Sequence, residues 1–155
     1  MLNTLMITWM SLCALIDARS RRLPNLLLGV GLAGAILILF TTHQTITGAT
    51  WGTALTAMLL GFLLGLPGYR LGQMGAGDVK LLAVLGLATD ISHLLLSIAG
   101  AGLFLALWAL LAKRLWAHLP KAIENYFKNF SPENQKRLPY APFLLFGLIF
   151  SILII

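Results

Sequence analysis

The chain of 155 residues carries five carboxylates: Asp17, Asp78, Asp90, Glu124 and Glu133. Two stand apart from the others. Asp17 and Asp78 each lie where a basic stretch meets a long apolar run, whereas Asp90 falls in a short turn and the two glutamates in a polar segment. Holding a carboxylate against hydrocarbon costs about 2.5–3.5 kcal/mol on insertion scales, so such groups commonly mark function. Two carboxyls within hydrogen-bond reach do not both ionise easily, and one keeps its proton. The ionised member can then take a proton from water while the other polarises a peptide carbonyl. That is acid–base hydrolysis with neither a metal nor a covalent intermediate. Depth and pairing alone leave a plainer reading open: Asp17 could pair with Arg19 or Arg21, and Asp78 with Lys80, as ordinary charges at the end of an apolar segment.

The surroundings of Asp78 favour chemistry. Gly75-Ala76-Gly77 precede it and Lys80 follows. Glycines admit backbone conformations closed to other residues and let a second chain come close, which suits a site that holds an extended peptide beside its acid. Helix packing is the other use of glycine, expected for Gly61 and Gly65. No Gly-Lys-Ser/Thr follows, so a phosphate loop is excluded. Lys80 either anchors to lipid phosphates or favours the ionised form of a nearby aspartate by its charge. Pro24 and Asn25 are expected to open the second apolar run as turn and cap. Cys13 is the single cysteine. One thiol cannot form an internal disulfide or a four-ligand zinc site, and an inert membrane-facing side chain is expected. No metal or other cofactor is called for.

The elements that must hold these residues follow from composition. Hydrophobic residues make up 59% of the chain and charged residues 10%, against about a quarter charged in a soluble domain. Too few polar groups remain to cover a soluble surface, and a membrane protein is the economical reading. Residues 2–16, 23–69, 91–112 and 138–155 contain no Asp, Glu, Lys or Arg. A helical span needs about 20 apolar residues, so the run 23–69 holds two, joined through the polar stretch 41–50. Six spans are expected, at about 2–16, 25–40, 51–67, 78–89, 91–112 and 138–155. The fold class is therefore all-α and polytopic, with residues 1–155 as one membrane-embedded domain. The first span is expected to be retained, because no Lys or Arg precedes it and no small-residue cleavage site stands before Asp17. The fourth is only about 18 Å long. It reaches far enough only if the glycine loop before it dips into the membrane, which is tolerated where backbone lines a wet cavity.

Connecting six spans in alternation places all 11 Lys and Arg on one side. The positive-inside rule makes that side cytoplasmic, with both termini outside. The basic balance is then explained by the anionic cytoplasmic leaflet, and no nucleic acid is needed as a partner. The largest cytoplasmic loop, 113–137, has Ile123, Tyr126, Phe127 and Phe130 at helical spacing between Pro120 and Pro132. An amphipathic helix lying on the headgroups is expected there.

Taken together, the motifs resemble a known family. Gly75-Ala76-Gly77-Asp78-Val79-Lys80 matches the GxGDxK motif of type IV prepilin peptidases, which are GxGD intramembrane aspartyl proteases. Asp17 followed by Arg21, Leu23, Pro24 and Asn25 resembles the family's first motif, and Pro139-Tyr140-Ala141-Pro142-Phe143 resembles its Pro-x-x-Pro-Phe segment. The resemblance implies Asp17 and Asp78 as catalytic residues. Gly75, Gly77, Lys80, Pro24 and Asn25 become active-site support or substrate contacts. It also implies prepilin or pseudopilin leader peptides as substrates, cut at the cytoplasmic face of a bacterial inner membrane after a glycine. Bifunctional members carry a cytoplasmic domain with paired Cys-x-x-Cys motifs between the first two spans. Here residues 18–24 leave no room for one, so the chain resembles the small peptidase-only type found with Flp/Tad pili, and N-methylation is not expected. Rival readings are a transporter or channel subunit with the aspartates as an ion site, or a scaffold in a secretion assembly. A transporter would usually carry polar residues near mid-span and an internal repeat, and neither is visible.

Overall fold

The structure is a computed structural model, and it describes residues 2–116 and 139–155. Six helices occupy the six expected positions: α1 (Leu2–Ser20), α2 (Asn25–Thr42), α3 (Trp51–Arg70), α4 (Ala76–Ala88), α5 (Ile91–Trp116) and α6 (Ala141–Ile154). No strand occurs among the described residues. The amphipathic helix expected near residues 120–131 lies outside them.

The protein is a polytopic, all-α membrane bundle. By length and composition α2, α3 and the 91–112 part of α5 can each cross a membrane. α6 is a shorter apolar helix. α1 is less apolar because Asn3, Thr4, Thr8, Ser11, Asp17 and Arg19 interrupt it.

The short helix forms the centre. α4 has 13 residues, about 20 Å at the usual rise, less than the hydrocarbon thickness of about 30 Å. It packs on α2, α3 and α5. Between Asp78 and Ala88 every residue but Lys80 is buried. A helix that is apolar all round belongs inside a bundle. Protein on several sides lets a short helix sit where lipid would leave its ends unsatisfied. Glycines allow the close approach, as expected for Gly61 and Gly65. A Cβ on Gly61 would stand 2.5 Å from the Leu82 carbonyl oxygen, and one on Gly65 3.1 Å from Val79 Cγ1. Gly86 of α4 faces the Ala57 carbonyl of α3 in the same way.

The second half of the bundle is α5 on α6 and α6 on α1. Gly100 and Gly147 meet so closely that a Cβ on Gly100 would lie 2.8 Å from Gly147 Cα. α1 is joined to α2 through Trp9, whose indole N–H donates to the Leu27 carbonyl at 3.0 Å and whose ring lies over Gly31. Cys13 is buried in this core, not facing lipid as its apolar run led one to expect.

At the far end of α4 the loop 43–50 folds back. The Ile46 N–H donates to the Ala88 carbonyl at 3.0 Å. The Thr47 hydroxyl donates to Asp90 Oδ2 at 2.8 Å, and the His93 N–H to Asp90 Oδ1 at 2.9 Å. His93 Nδ1 lies 2.7 Å from Asp90 Oδ2. Asp90 thus caps α5 and ties the loop to it. Burial acts to raise its pKa, but the His93 N–H, the Thr47 hydroxyl and the His93 ring together hold the carboxyl below its usual range.

Candidate active site

Asp17 and Asp78 meet at the other end. Asp17 sits in the last turn of α1 and Asp78 in the first turn of α4, 4% and 9% exposed. Both line two cavities, of about 380 Å³ and 340 Å³, whose walls also share Arg21, Arg22 and Gly75. Either volume admits several waters.

Each carboxylate is oriented by a main-chain donor at a helix start. Gly75, the N-cap of α4, donates its N–H to Asp78 Oδ2 at 3.0 Å. Asp78 therefore reaches back over the first turn of its own helix, half of a capping box. Asp17 is held from across the bundle: the Ala141 N–H, at the first residue of α6, donates to Asp17 Oδ2 at 3.0 Å. The first N–H groups of a helix have no partner within it, and the helix dipole favours negative charge there. Two buried acids are thus aimed into shared space by donors that suit the ionised form.

The turn after Asp17 is tightly set. The Arg21 N–H donates to the Asp17 carbonyl at 2.8 Å, and Arg21 takes a left-handed conformation, φ 52°. That geometry costs a residue with a Cβ about 1–2 kcal/mol, and such strain concentrates at functional sites. It turns Arg21 and Arg22 into the cavity walls.

The other residues singled out in the sequence converge on this place with different roles. Gly75, Gly77, Lys80 and Asn25 line the smaller cavity. Neither glycine has a positive φ; Gly72, in the loop before them, does, at 70°. The glycine-only backbone conformation that the sequence left open for this pair is therefore not adopted. Gly77 is already helical, and its lack of a side chain serves proximity: a Cβ there would stand 3.0 Å from Leu23 Cβ. At Gly75 a Cβ would stand 3.3 Å from Asp78 Oδ2. Pro24 is the N-cap of α2, with φ −66° and ψ 134°. Asn25 does not cap; its Oδ1 accepts from Lys80 Nζ at 2.9 Å. Lys80 thus binds an amide on another helix, a partner neither expected role for it had named.

Sequence reasoning missed what Ala141 does. The donor is a main-chain N–H, which leaves no mark in side-chain chemistry. Pro142 is the available signal, since proline in a first turn announces a helix start and hence exposed N–H groups. Among the described residues no group of three or more His, Cys, Asp or Glu is placed to hold a metal ion.

Fold and site define a class: a helical membrane protein with a pair of buried carboxyls lining the same two cavities. The sequence model of the type IV leader peptidase family matches residues 4–110, and the chain belongs to that family. The match takes in both aspartates and the Gly75–Lys80 motif and stops before the α6 segment that holds Asp17. No curated protein and no solved structure matches the chain.

Proposed function

We propose that this chain is a membrane aspartyl endopeptidase that removes leader peptides from type IV prepilins of the Flp/Tad kind at the cytoplasmic face of a bacterial inner membrane. The observation that carries this is the convergence of Asp17 and Asp78, 61 residues apart in sequence, on the same two adjoining cavities in a chain of the leader peptidase family.

In this reading one aspartate is ionised and takes a proton from a water in the cavity, while the other, protonated, donates to the carbonyl oxygen of the scissile bond. The Gly75 and Ala141 N–H groups fix the direction of the two carboxyls. The newly protonated aspartate then gives its proton to the scissile nitrogen while the other takes one back from a hydroxyl of the tetrahedral intermediate. The C–N bond breaks, the amine leaves and the pair returns to its starting state. Arg21 and Arg22 on the walls favour the single negative charge that the pair retains. Gly75, Gly77, Lys80, Pro24 and Asn25 support the site or touch substrate. With six spans connected in alternation, all 11 Lys and Arg of the sequence fall on one side, which supports the cytoplasmic placing and periplasmic termini. The short link between α1 and α2 supports peptidase activity without N-methylation.

The test is co-expression with candidate prepilins, read as a size shift of the precursor. Wild-type protein is expected to process the precursor, and Asp17→Asn and Asp78→Asn each to abolish processing while membrane level persists. Normal processing by either variant sinks the aspartyl mechanism.

A further inference from the structure

Building on Asp17 and Asp78 as the working pair, we propose that Lys80 and Asn25 form a strut that sets the spacing of the two aspartates. Lys80 acts through Asn25 and not through its charge on Asp78.

Lys80 Nζ and Asn25 Oδ1 are 2.9 Å apart, a contact between residues 55 positions distant. Residues two apart on a helix do not face each other. The Lys80 side chain, at the exposed rim of the cavity that Asp78 also lines, reaches the first residue of α2. A hydrogen bond with one charged partner is about twice as strong as a neutral one, and a lysine stem has the reach to span the gap between helices.

What the strut holds is a stiff joint. Only residues 21–24 separate α1, which ends just after Asp17, from Asn25. Pro24 has its φ fixed by its ring at −66°, and Arg21 is committed to the left-handed region. A link so short and so constrained passes on a displacement of α2 to the end of α1. Leu23, in the middle of the link, rests on Gly77 beside Asp78. The joint is thus pinned to α4 at two points, Leu23 on Gly77 and Asn25 on Lys80, one on each side of Asp78 along the helix. With the second pin gone, the start of α2 and the end of α1 can draw away from α4, and Asp17 with them. A misplacement of about 1 Å can cost about a hundredfold in rate.

The test is a double-mutant cycle on protein reconstituted in liposomes, with a purified leader-bearing pilin precursor as substrate. Initial rates are taken against substrate concentration and pH, normalised to folded protein. Lys80→Ala and Asn25→Ala are each expected to lower kcat about tenfold with KM changed less than about twofold. The double variant is expected to be no slower than either single, because both remove one interaction. All three keep the wild-type pH profile. Asn25→Asp, which still offers Lys80 an acceptor, recovers most of the kcat that Asn25→Ala loses. Singles at the wild-type rate, losses that multiply, or a pH shift confined to Lys80→Ala overturn the strut. A folded wild type that cleaves no precursor overturns the peptidase reading itself, and the strut with it.

Discussion

Buried or half-buried carboxyls lie at both ends of α4, each taking a main-chain N–H from a helix start, and the two settings differ. At the far end Asp90 is saturated: Oδ1 takes the His93 N–H, and Oδ2 takes the Thr47 hydroxyl and faces the His93 ring. Those contacts join a loop to a helix, and little of the group is left for chemistry. At the near end Asp17 and Asp78 each take a main-chain N–H on Oδ2 and line open space. A carboxyl enclosed by donors stabilises a fold, while one aimed into a cavity by main-chain donors is positioned to react. The same residue type, held by the same kind of helix-start donor, thus stands in two settings, told apart by what surrounds its oxygens.

The comparison can be broken from either side. The largest effects are expected near the cavity. Gly77→Ala places a Cβ 3.0 Å from Leu23 Cβ, and the link behind Asp17 must shift by a few tenths of an ångström. Cleavage should fall on the order of tenfold at normal protein level, measured as an initial rate per folded enzyme. Gly75→Ala should cost less, about threefold, since its Cβ meets Asp78 Oδ2 at 3.3 Å and the N-cap torsions suit alanine. A Gly77→Ala protein as fast as wild type would mean that Leu23 and Gly77 pack without bearing on catalysis.

Asp90→Asn is expected to leave cleavage within about twofold and to lower the unfolding temperature instead. The pH dependence gives this its sign. The folded pKa of Asp90 lies below its usual value, so its stabilising contribution is present above about pH 4 and is lost as pH falls through the lowered pKa. The gap in unfolding temperature between wild type and Asp90→Asn should therefore be wide at pH 7 and close under acid conditions. A gap that widens on acidification would show that the His93 and Thr47 contacts do not favour the charged carboxyl.

Much of this architecture was legible beforehand because hydrocarbon is a strict solvent. Uncharged runs located five of the six helices, the fourth being the charged-ended stretch left between them, and the polar interruptions 41–50 and 17–24 located two of their joints. The two aspartates stood out for the same reason, as charges at the ends of apolar runs. Burial was harder to read. α2 and α4 are both apolar on all sides, yet 17% of the α2 window is buried while nearly all of α4 is. Periodicity cannot separate them, because lipid and protein interior select the same side chains. Length could have, since 13 residues cannot cross alone. The contacts that tune the site were hidden for other reasons. The Ala141 N–H is backbone, and Lys80 with Asn25 is a pairing that only the folded chain brings together. At Gly77 the sequence left both a special backbone conformation and close packing open, and the structure shows close packing, with no positive φ.

The central claim is that the near-end carboxyls do chemistry and the far-end carboxyl does not. It is tested most directly by purifying wild type, Asp17→Asn, Asp78→Asn and Asp90→Asn and measuring initial cleavage rates side by side in liposomes on one leader-bearing precursor. The account predicts a loss of about a thousandfold or more in each of the first two variants and a near-wild-type rate in the third, all normalised to folded protein. A near-wild-type rate in either Asp17→Asn or Asp78→Asn would contradict it.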